Sequence, residues 1–102
     1  MDFKVVWTPS ARDDLREIVQ YIARDNPDAA RRVGERILES VEVLGGMPEL
    51  GRMVPERRDP TIREIIRGNY RIVYRVRERP RMLEVWRIWH GARGTPQLGR
   101  PG

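Results

Sequence analysis

The stretch IREIIRGNYRIVYRV, residues 62–76, predicts the β-hairpin around which the rest of the fold is organised. Its two arms are rich in Ile, Val and Tyr, which are typical of β-strands. Gly68 and Asn69 separate the arms, and this pair suits the tight turn of a two-residue hairpin loop. We therefore expect strands at Ile62–Arg67 and Tyr70–Val76.

A two-residue loop also decides which residues lie opposite each other. Arg67 pairs with Tyr70, and Ile62 pairs with Arg75 at the far end. Because successive side chains of a strand point to opposite faces, the hairpin has two different faces. One face carries Ile62, Glu64, Ile66, Arg71, Val73 and Arg75, and the other carries Arg63, Ile65, Arg67, Tyr70, Ile72 and Tyr74. Neither set is purely apolar, so we expect the helices to cover only part of the sheet and to leave Arg71 and Arg75 at an open surface.

Outside this hairpin the sequence predicts two more strands and two helices. FKVVW, residues 3–7, is a short apolar strand, and MLEVWRIWH, residues 82–90, is a longer strand. Thr8 and Asn26 are each followed by a proline, which is the pattern of a capped helix start. The second helix ends at the glycine pair 45–46. The order β-α-α-β-β-β predicts an α+β domain in which a helical hairpin packs on a small antiparallel sheet.

The positive charge of the chain is confined to its second half. The 102 residues carry a net charge of +5, and residues 51–102 hold 13 of the 20 basic residues but only 5 of the 15 acidic ones. The first half is therefore net negative. Such an asymmetry indicates a polyanionic partner, either a nucleic acid or an acidic protein segment.

The composition also argues against several kinds of site. The chain has no cysteine and a single histidine, His90, so we expect no disulfide, no metal and no cofactor. It lacks an apolar run of about 20 residues, which is the length of a membrane span. Its N-terminus lacks the pattern of a signal peptide. We therefore expect a cytoplasmic protein that does not contact membranes.

Four motifs occur in an order that resembles one known family. They are TPSARDDLREIVQYIARDNPDAARR, PELGRMVPE, IREIIRGNYRIVYRV and HGAR. Together they resemble the RelE/ParE toxin superfamily of type II toxin–antitoxin modules, and the resemblance spans Phe3 to Arg93. The long helical hairpin and the HGAR ending are more similar to the ParE branch. The resemblance implies one toxin domain over residues 1–93, and we expect the Gly- and Pro-rich residues 94–102 to be disordered.

The resemblance also implies a partner and a target. Members of this superfamily are small cytoplasmic toxins that a cognate antitoxin neutralises by wrapping around them. The antitoxin usually carries an N-terminal DNA-binding domain, so operator DNA is contacted only through the antitoxin. ParE-branch toxins poison DNA gyrase, and this is the function we expect. Two alternatives stay open: a RelE-like endonuclease that cuts mRNA on the ribosome, and a non-catalytic module that binds nucleic acid.

Four residues match catalytic positions of the RelE branch. The resemblance assigns phosphate stabilisation to Arg71 and the role of base to Glu49. His90 matches a strand-end histidine, and Arg93 matches a second catalytic arginine. Metal-free RNA cleavage needs a base, an acid and a donor that stabilises negative charge. Nuclease members commonly carry a tyrosine where this chain has Gly91, and some carry a lysine pair that is missing here. These departures favour a toxin that is not an enzyme.

A toxin that acts by binding would contact its antitoxin or its target through an overlapping set of residues. We expect six residues in this set: Arg63, Arg67, Arg71, Arg75, Trp89 and Arg93. Simpler structural roles also fit the same positions.

In the structural interpretation, Arg71 and Arg75 are strand residues that pair with Glu64 across the hairpin. Glu49 is then an ordinary loop carboxylate, and His90 is a hydrogen-bonded histidine at the end of a strand. The sequence leaves the structural and functional interpretations open.

Overall fold

The computed structural model describes residues 2–91, which contain two helices and five strands. The strands are β1 (Lys4–Trp7), β2 (Arg52–Met53), β3 (Ile62–Arg67), β4 (Tyr70–Glu78) and β5 (Arg81–His90). The helices are α1 (Pro9–Ala23) and α2 (Pro27–Gly46). This order confirms the predicted α+β fold and adds only β2, inside a segment expected to be a loop. Arg93 and the segment 94–102, expected to be disordered, lie outside the described residues.

Both helices begin at the predicted capping residues. The Thr8 side chain accepts a hydrogen bond from the Ala11 N–H at 3.2 Å, and the Asn26 side chain accepts one from Ala29 at 3.0 Å. Each cap satisfies one of the N–H groups that a helix start leaves unpaired. Thr8 also donates from its hydroxyl to the Val85 carbonyl at 2.9 Å, which fastens the start of α1 to β5. Neither α1 nor α2 is long and apolar enough to cross a membrane.

The strands form one sheet in the order β1-β5-β4-β3-β2. The pairs from β2 to β5 are antiparallel, as expected. In contrast, β1 pairs with β5 in parallel, from Lys4 opposite Met82 to Trp7 opposite Val85. The sheet is therefore mixed rather than entirely antiparallel. Most of the chain lies between these two strands, and a connection of that length permits either strand direction, unlike a tight hairpin turn.

The β3–β4 hairpin has the predicted register along its whole length. Ile62 pairs with Arg75, and Arg67 pairs with Tyr70. Gly68 has a φ of 58°, a conformation that glycine adopts at no steric cost. One face of the sheet packs against the helices and forms the main core. Its buried side chains include Ile37, Val41, Leu44, Ile65, Ile72, Tyr74, Leu83, Val85 and Ile88.

The sheet face that points away from the helices, called here the open face, carries a second and smaller core. Its buried members are Val54, Ile62, Val73 and Trp86. A register shift beside Val73 leaves Trp86 as an extra residue on β5, which is the arrangement of a β-bulge. The segment 54–61 crosses this cluster, with Val54 buried in it and Arg57 over the Trp86 ring. The open face is therefore partly covered by the chain itself.

Candidate interaction surface

Arg71 lies on the open face and is held by two carboxylates. Its Nε donates to Glu64 Oε1 at 2.7 Å, and its Nη2 donates to Glu56 Oε1 at 2.9 Å. The Glu64 side chain is 0% exposed. Its second oxygen accepts a hydrogen bond from Arg52 Nε at 2.8 Å. These four side chains form a run of alternating charges, Arg52–Glu64–Arg71–Glu56, which we call the charge chain.

The charge chain keeps the Arg71 guanidinium ionised and in place. Burial lowers the pKa of Arg71, but the hydrogen bonds and charges of Glu64 and Glu56 outweigh it, so the pKa is raised. Desolvating buried ions is costly, and it is tolerated when their hydrogen bonds are complete. Both oxygens of Glu64 are hydrogen-bonded here. The pairing of Arg71 with Glu64 is therefore confirmed, and a phosphate approaching Nη2 must displace Glu56.

Arg75 lies beside the charge chain, but the predicted pair between Arg75 and Glu64 is not formed within residues 2–91. The residue opposite Arg75 on β5 is Glu84, and its carboxylate instead lies 3.1 Å from Arg77 Nε. The Arg75 guanidinium lies 5.9 Å from the centre of the Trp86 ring. Its Nε is buried and has no hydrogen-bond partner among the described residues. The register alone does not decide this outcome, because Glu64 lies opposite Val73 and is therefore diagonal to both Arg71 and Arg75.

Arg63 and Arg67 point to the helix side of the sheet, away from Arg71. Arg63 donates from Nη1 to the Gly51 carbonyl at 2.7 Å. Arg67 donates from Nη1 to the Ile66 carbonyl at 2.8 Å. The predicted contact set is therefore divided between the two faces of the sheet, because neighbouring strand residues alternate in direction.

The open face keeps the remaining described members of the predicted contact set. Trp89 lies opposite Arg71 in the β4–β5 register, so the two share this face with Arg75. Ile66 lies opposite Arg71 on the other side and is 48% exposed. Together with Arg57 these residues form a mixed cationic and apolar patch. We call this patch the arginine surface: Arg57, Ile66, Arg71, Arg75 and Trp89.

The predicted nuclease groups are brought together only in part, because Arg71 and His90 both line a cavity at the end of the β3–β4 hairpin but Glu49 lies elsewhere. Glu49 lies in the exposed loop before β2, whereas His90 ends β5, with β4 and β3 between them. Three steps across the sheet, at about 4.8 Å each, amount to roughly 14 Å. His90 packs edge-on against Tyr70, with ring centres 5.2 Å apart, and it lies on the helix side while Arg71 lies on the open face. Within residues 2–91 no cluster of three or more His, Asp and Glu side chains is arranged to hold a metal ion.

Asp14 and Arg87 form a partly buried pair that the sequence patterns do not reveal. Arg87 donates from Nε and Nη2 to the two oxygens of Asp14 at 2.8 and 3.0 Å. The hydrogen bonds of Asp14 raise the pKa of Arg87. Asp14 also accepts the Ile88 N–H at 2.9 Å, just beyond the point where β1 ends opposite Val85. It thus occupies an exposed stretch of sheet edge, a place where unpaired backbone groups invite association.

A cavity of about 520 Å³ opens beside this pair, between α1 and the end of β5. Its lining combines the acidic side chains Asp14 and Glu17 with the rings of Tyr21, Tyr70 and His90. The sequence places these residues in separate elements, and only the packing of α1 on β5 brings them together. An amphipathic pattern predicts that α1 packs on the sheet, but not which strand it meets.

A family model described as "ParE toxin of type II toxin-antitoxin system, parDE" matches residues 5–94. Y4kP of Sinorhizobium fredii, whose name marks it as a toxin, is 37% identical over 97 residues. That match covers 93% of this chain and 95% of Y4kP.

Two solved structures share the fold at lower identity. The chromosomal ParDE toxin–antitoxin system from P. aeruginosa aligns with a TM-score of 0.70 and 23% identity, over 86% of this chain and 95% of that one. The toxin–antitoxin complex RelBE2 from Mycobacterium tuberculosis aligns with a TM-score of 0.68 and 23% identity, over 88% and 99%. Identity at this level speaks for the fold alone, and it agrees with two helices packed on a mixed sheet. Since the family model and Y4kP both match most of its length, the chain belongs to the ParE toxin family of type II toxin–antitoxin systems.

Proposed function

We propose that this chain is a toxin that a cognate antitoxin neutralises, and that its target is DNA gyrase. The family match over residues 5–94 supports the toxin, and the likeness to structures of toxin–antitoxin systems supports the partner. In this proposal residues 1–93 form the toxin domain, which meets both proteins in the cytoplasm. Operator DNA is contacted only through an N-terminal DNA-binding domain of the antitoxin.

The arrangement around Arg71 supports a toxin that acts by binding over one that cleaves RNA. The Arg71 guanidinium is already bound by Glu64 and Glu56. Glu49 precedes β2, at one edge of the sheet, and the His90 side chain lies on the opposite face of the sheet from Arg71. Cleavage of RNA requires a base, an acid and a charge-stabilising donor positioned around one phosphate. A toxin that acts by binding a protein has no such requirement, and it can use the arginine surface as it stands.

A gyrase supercoiling assay tests this function directly. Purified toxin should inhibit supercoiling of a relaxed plasmid and should trap gyrase in cleavage complexes with DNA. Toxin premixed with its antitoxin is the matched control and should leave supercoiling unchanged. Full supercoiling without trapped complexes, by toxin shown to stop growth when expressed, would exclude gyrase as the target.

A ribosome-dependent mRNA endonuclease is the second candidate. It is favoured by a cavity of about 440 Å³ at the end of the β3–β4 hairpin, because Arg71 and His90 both line this cavity. In this case primer extension on ribosome-bound mRNA should reveal cuts in phase with codons. The cuts should disappear in Arg71→Ala and persist in Arg77→Ala, whose side chain lies farther along the same strand. Intact mRNA during growth arrest rules this candidate out.

A further inference from the structure

We infer that Arg75, beside Trp86 and close to Arg57, forms a binding site for one carboxylate side chain of the antitoxin. The inference rests on the proposed function for the identity of that partner. The site itself is argued from the geometry of the open face, where the segment 54–61 crosses β4 and β5.

The first observation is a cation without a counter-ion. Within residues 2–91 the Arg75 guanidinium makes no ion pair, and its buried Nε has no hydrogen-bond partner. Buried polar atoms are nearly always hydrogen-bonded, so this exception indicates that a partner is missing. Arg75 as a whole is half-buried, so a ligand can still reach the residue.

Two carboxylates in the neighbourhood of Arg75 are committed to other groups. Glu84, opposite Arg75 on β5, meets Arg77. Asp59 accepts hydrogen bonds from the hydroxyl and the N–H of Thr61 at 2.6 and 2.9 Å. These hydrogen bonds lower the pKa of Asp59, and the charge of Arg75 lowers it further. Arg75 therefore attracts the Asp59 carboxylate from a distance, but no carboxylate of residues 2–91 forms an ion pair with it.

A second cation lies against the same aromatic ring. Arg57 is 5.8 Å and Arg75 is 5.9 Å from the centre of Trp86. The ring attracts both guanidinium groups, but the two positive charges repel each other. An anion bound at Arg75 would relieve this repulsion. The indole N–H of Trp86 donates to Glu84 at 3.3 Å, so the ring is already oriented.

The surroundings favour a single carboxylate over a nucleic-acid backbone. Phosphate chains bind through several arginines or lysines at once. Here the neighbouring arginines are largely neutralised, because Glu56, Glu64 and Glu84 already pair with Arg71, Arg52 and Arg77. These carboxylates would repel a continuous run of phosphates. A lone guanidinium among paired ones suits one Asp or Glu side chain, which it can bind through two N–H groups.

Side-chain NMR of the isolated toxin tests the site. Sodium acetate is the probe, and sodium chloride at the same ionic strength is the reference. The Nε–Hε signal of Arg75 should shift and saturate with acetate, whereas the signal of Arg77 should stay in place. Absence of any acetate-specific shift at Arg75 overturns the proposal. A shift with a single-stranded oligonucleotide but none with acetate also overturns it, in favour of nucleic acid.

Binding to the antitoxin encoded beside the toxin tests the partner. Arg75→Gln should weaken the complex about tenfold, because it removes a charged hydrogen bond. Arg79→Gln is the control, at an exposed position just after the same strand, and it should leave the dissociation constant within about twofold. Thermal melting of both variants checks that they fold. An unchanged affinity of Arg75→Gln overturns the assignment to the antitoxin. If the chain is not a toxin, its expression will not arrest growth. The acetate titration will still test the site in that case.

Discussion

The buried carboxylate of Glu64 accepts a hydrogen bond from Arg71 Nε at 2.7 Å, one step off the direct cross-strand pair. In the register Glu64 lies opposite Val73 and Arg71 lies opposite Ile66, so the ion pair is diagonal. The contact gives Arg71 a structural role within the sheet, although the family resemblance associates this residue with phosphate stabilisation. Through Glu56 it also fastens the segment 54–61 to the open face.

Replacing Glu64 by Gln should lower the free energy of unfolding by about 3 kcal/mol, because removing one partner of a buried ion pair leaves the other uncompensated. Urea denaturation measures the change. Glu35→Gln is the matched control, since Glu35 pairs with Arg31 at 3.3 Å but is 56% exposed. The control should cost less than about 0.5 kcal/mol. Equal losses in the two variants would contradict the role assigned to burial.

Asp14→Asn should destabilise the protein by about 2 kcal/mol. It weakens both the ion pair with Arg87 and the hydrogen bond that Asp14 accepts from the Ile88 N–H. Asp13→Asn is the neighbouring control, since Asp13 meets Arg16 at 3.2 Å with both side chains 63% exposed. Its loss should stay near zero. Light scattering should also show more association for Asp14→Asn, because the β5 edge becomes available for pairing. Similar behaviour of both variants would refute the edge-capping role.

Gly51→Ala should cost about 3 kcal/mol, as overpacking of a tight site does. A Cβ at Gly51 would lie 2.5 Å from the Glu64 carbonyl oxygen and 2.5 Å from the Tyr74 hydroxyl. Gly46→Ala is the control, because its Cβ would meet nothing nearer than Asp2 at 3.5 Å. Chemical denaturation should show a large loss for the first variant and none for the second. A harmless Gly51→Ala would mean that the loop before β2 moves easily.

We expect the free energy of unfolding to fall at alkaline pH because of Tyr74. Burial raises the pKa of Tyr74 above its ordinary value, against the effect of the Gly51 hydrogen bond. A tyrosine in the unfolded chain ionises at about pH 10, whereas the buried Tyr74 keeps its proton at that pH. The unfolded state therefore binds fewer protons, and the free energy of unfolding falls as the pH rises above that point.

Denaturation curves at increasing pH measure this slope. Tyr74→Phe should flatten it, because the titrating group is gone. Tyr21→Phe should leave it unchanged, since Tyr21 is 71% exposed. A slope that survives in Tyr74→Phe would assign the alkaline loss to another group.

Signals that act within a few residues predicted much of this fold. The caps at Thr8 and Asn26, and the hairpin turn at Gly68, lie where the sequence places them. The register that follows from a two-residue loop is also correct. A turn or a cap is decided by the backbone of about four consecutive residues, so its evidence is contained in a short stretch of sequence.

The candidate site was predicted less completely. Alternation places Arg71 and Arg75 on one face, and the structure agrees and adds Trp89 to that face. The same rule does not predict that Glu84 pairs with Arg77 and leaves Arg75 without a carboxylate. Side-chain pairing on a crowded face is settled by packing, which periodicity does not describe.

Local pattern was therefore enough for every element except β2, for the order of those elements and for the hairpin register, and the resemblance of four motifs indicated the family. Tertiary structure alone decided the parallel pairing of β1 with β5, the burial of Glu64 between two arginines, and the contact of Asp14 with Arg87 across 73 residues. The physical reason is the range of the interactions. Backbone preferences act between neighbours in the chain, whereas strand direction and ion pairing depend on which distant segments exclude water together.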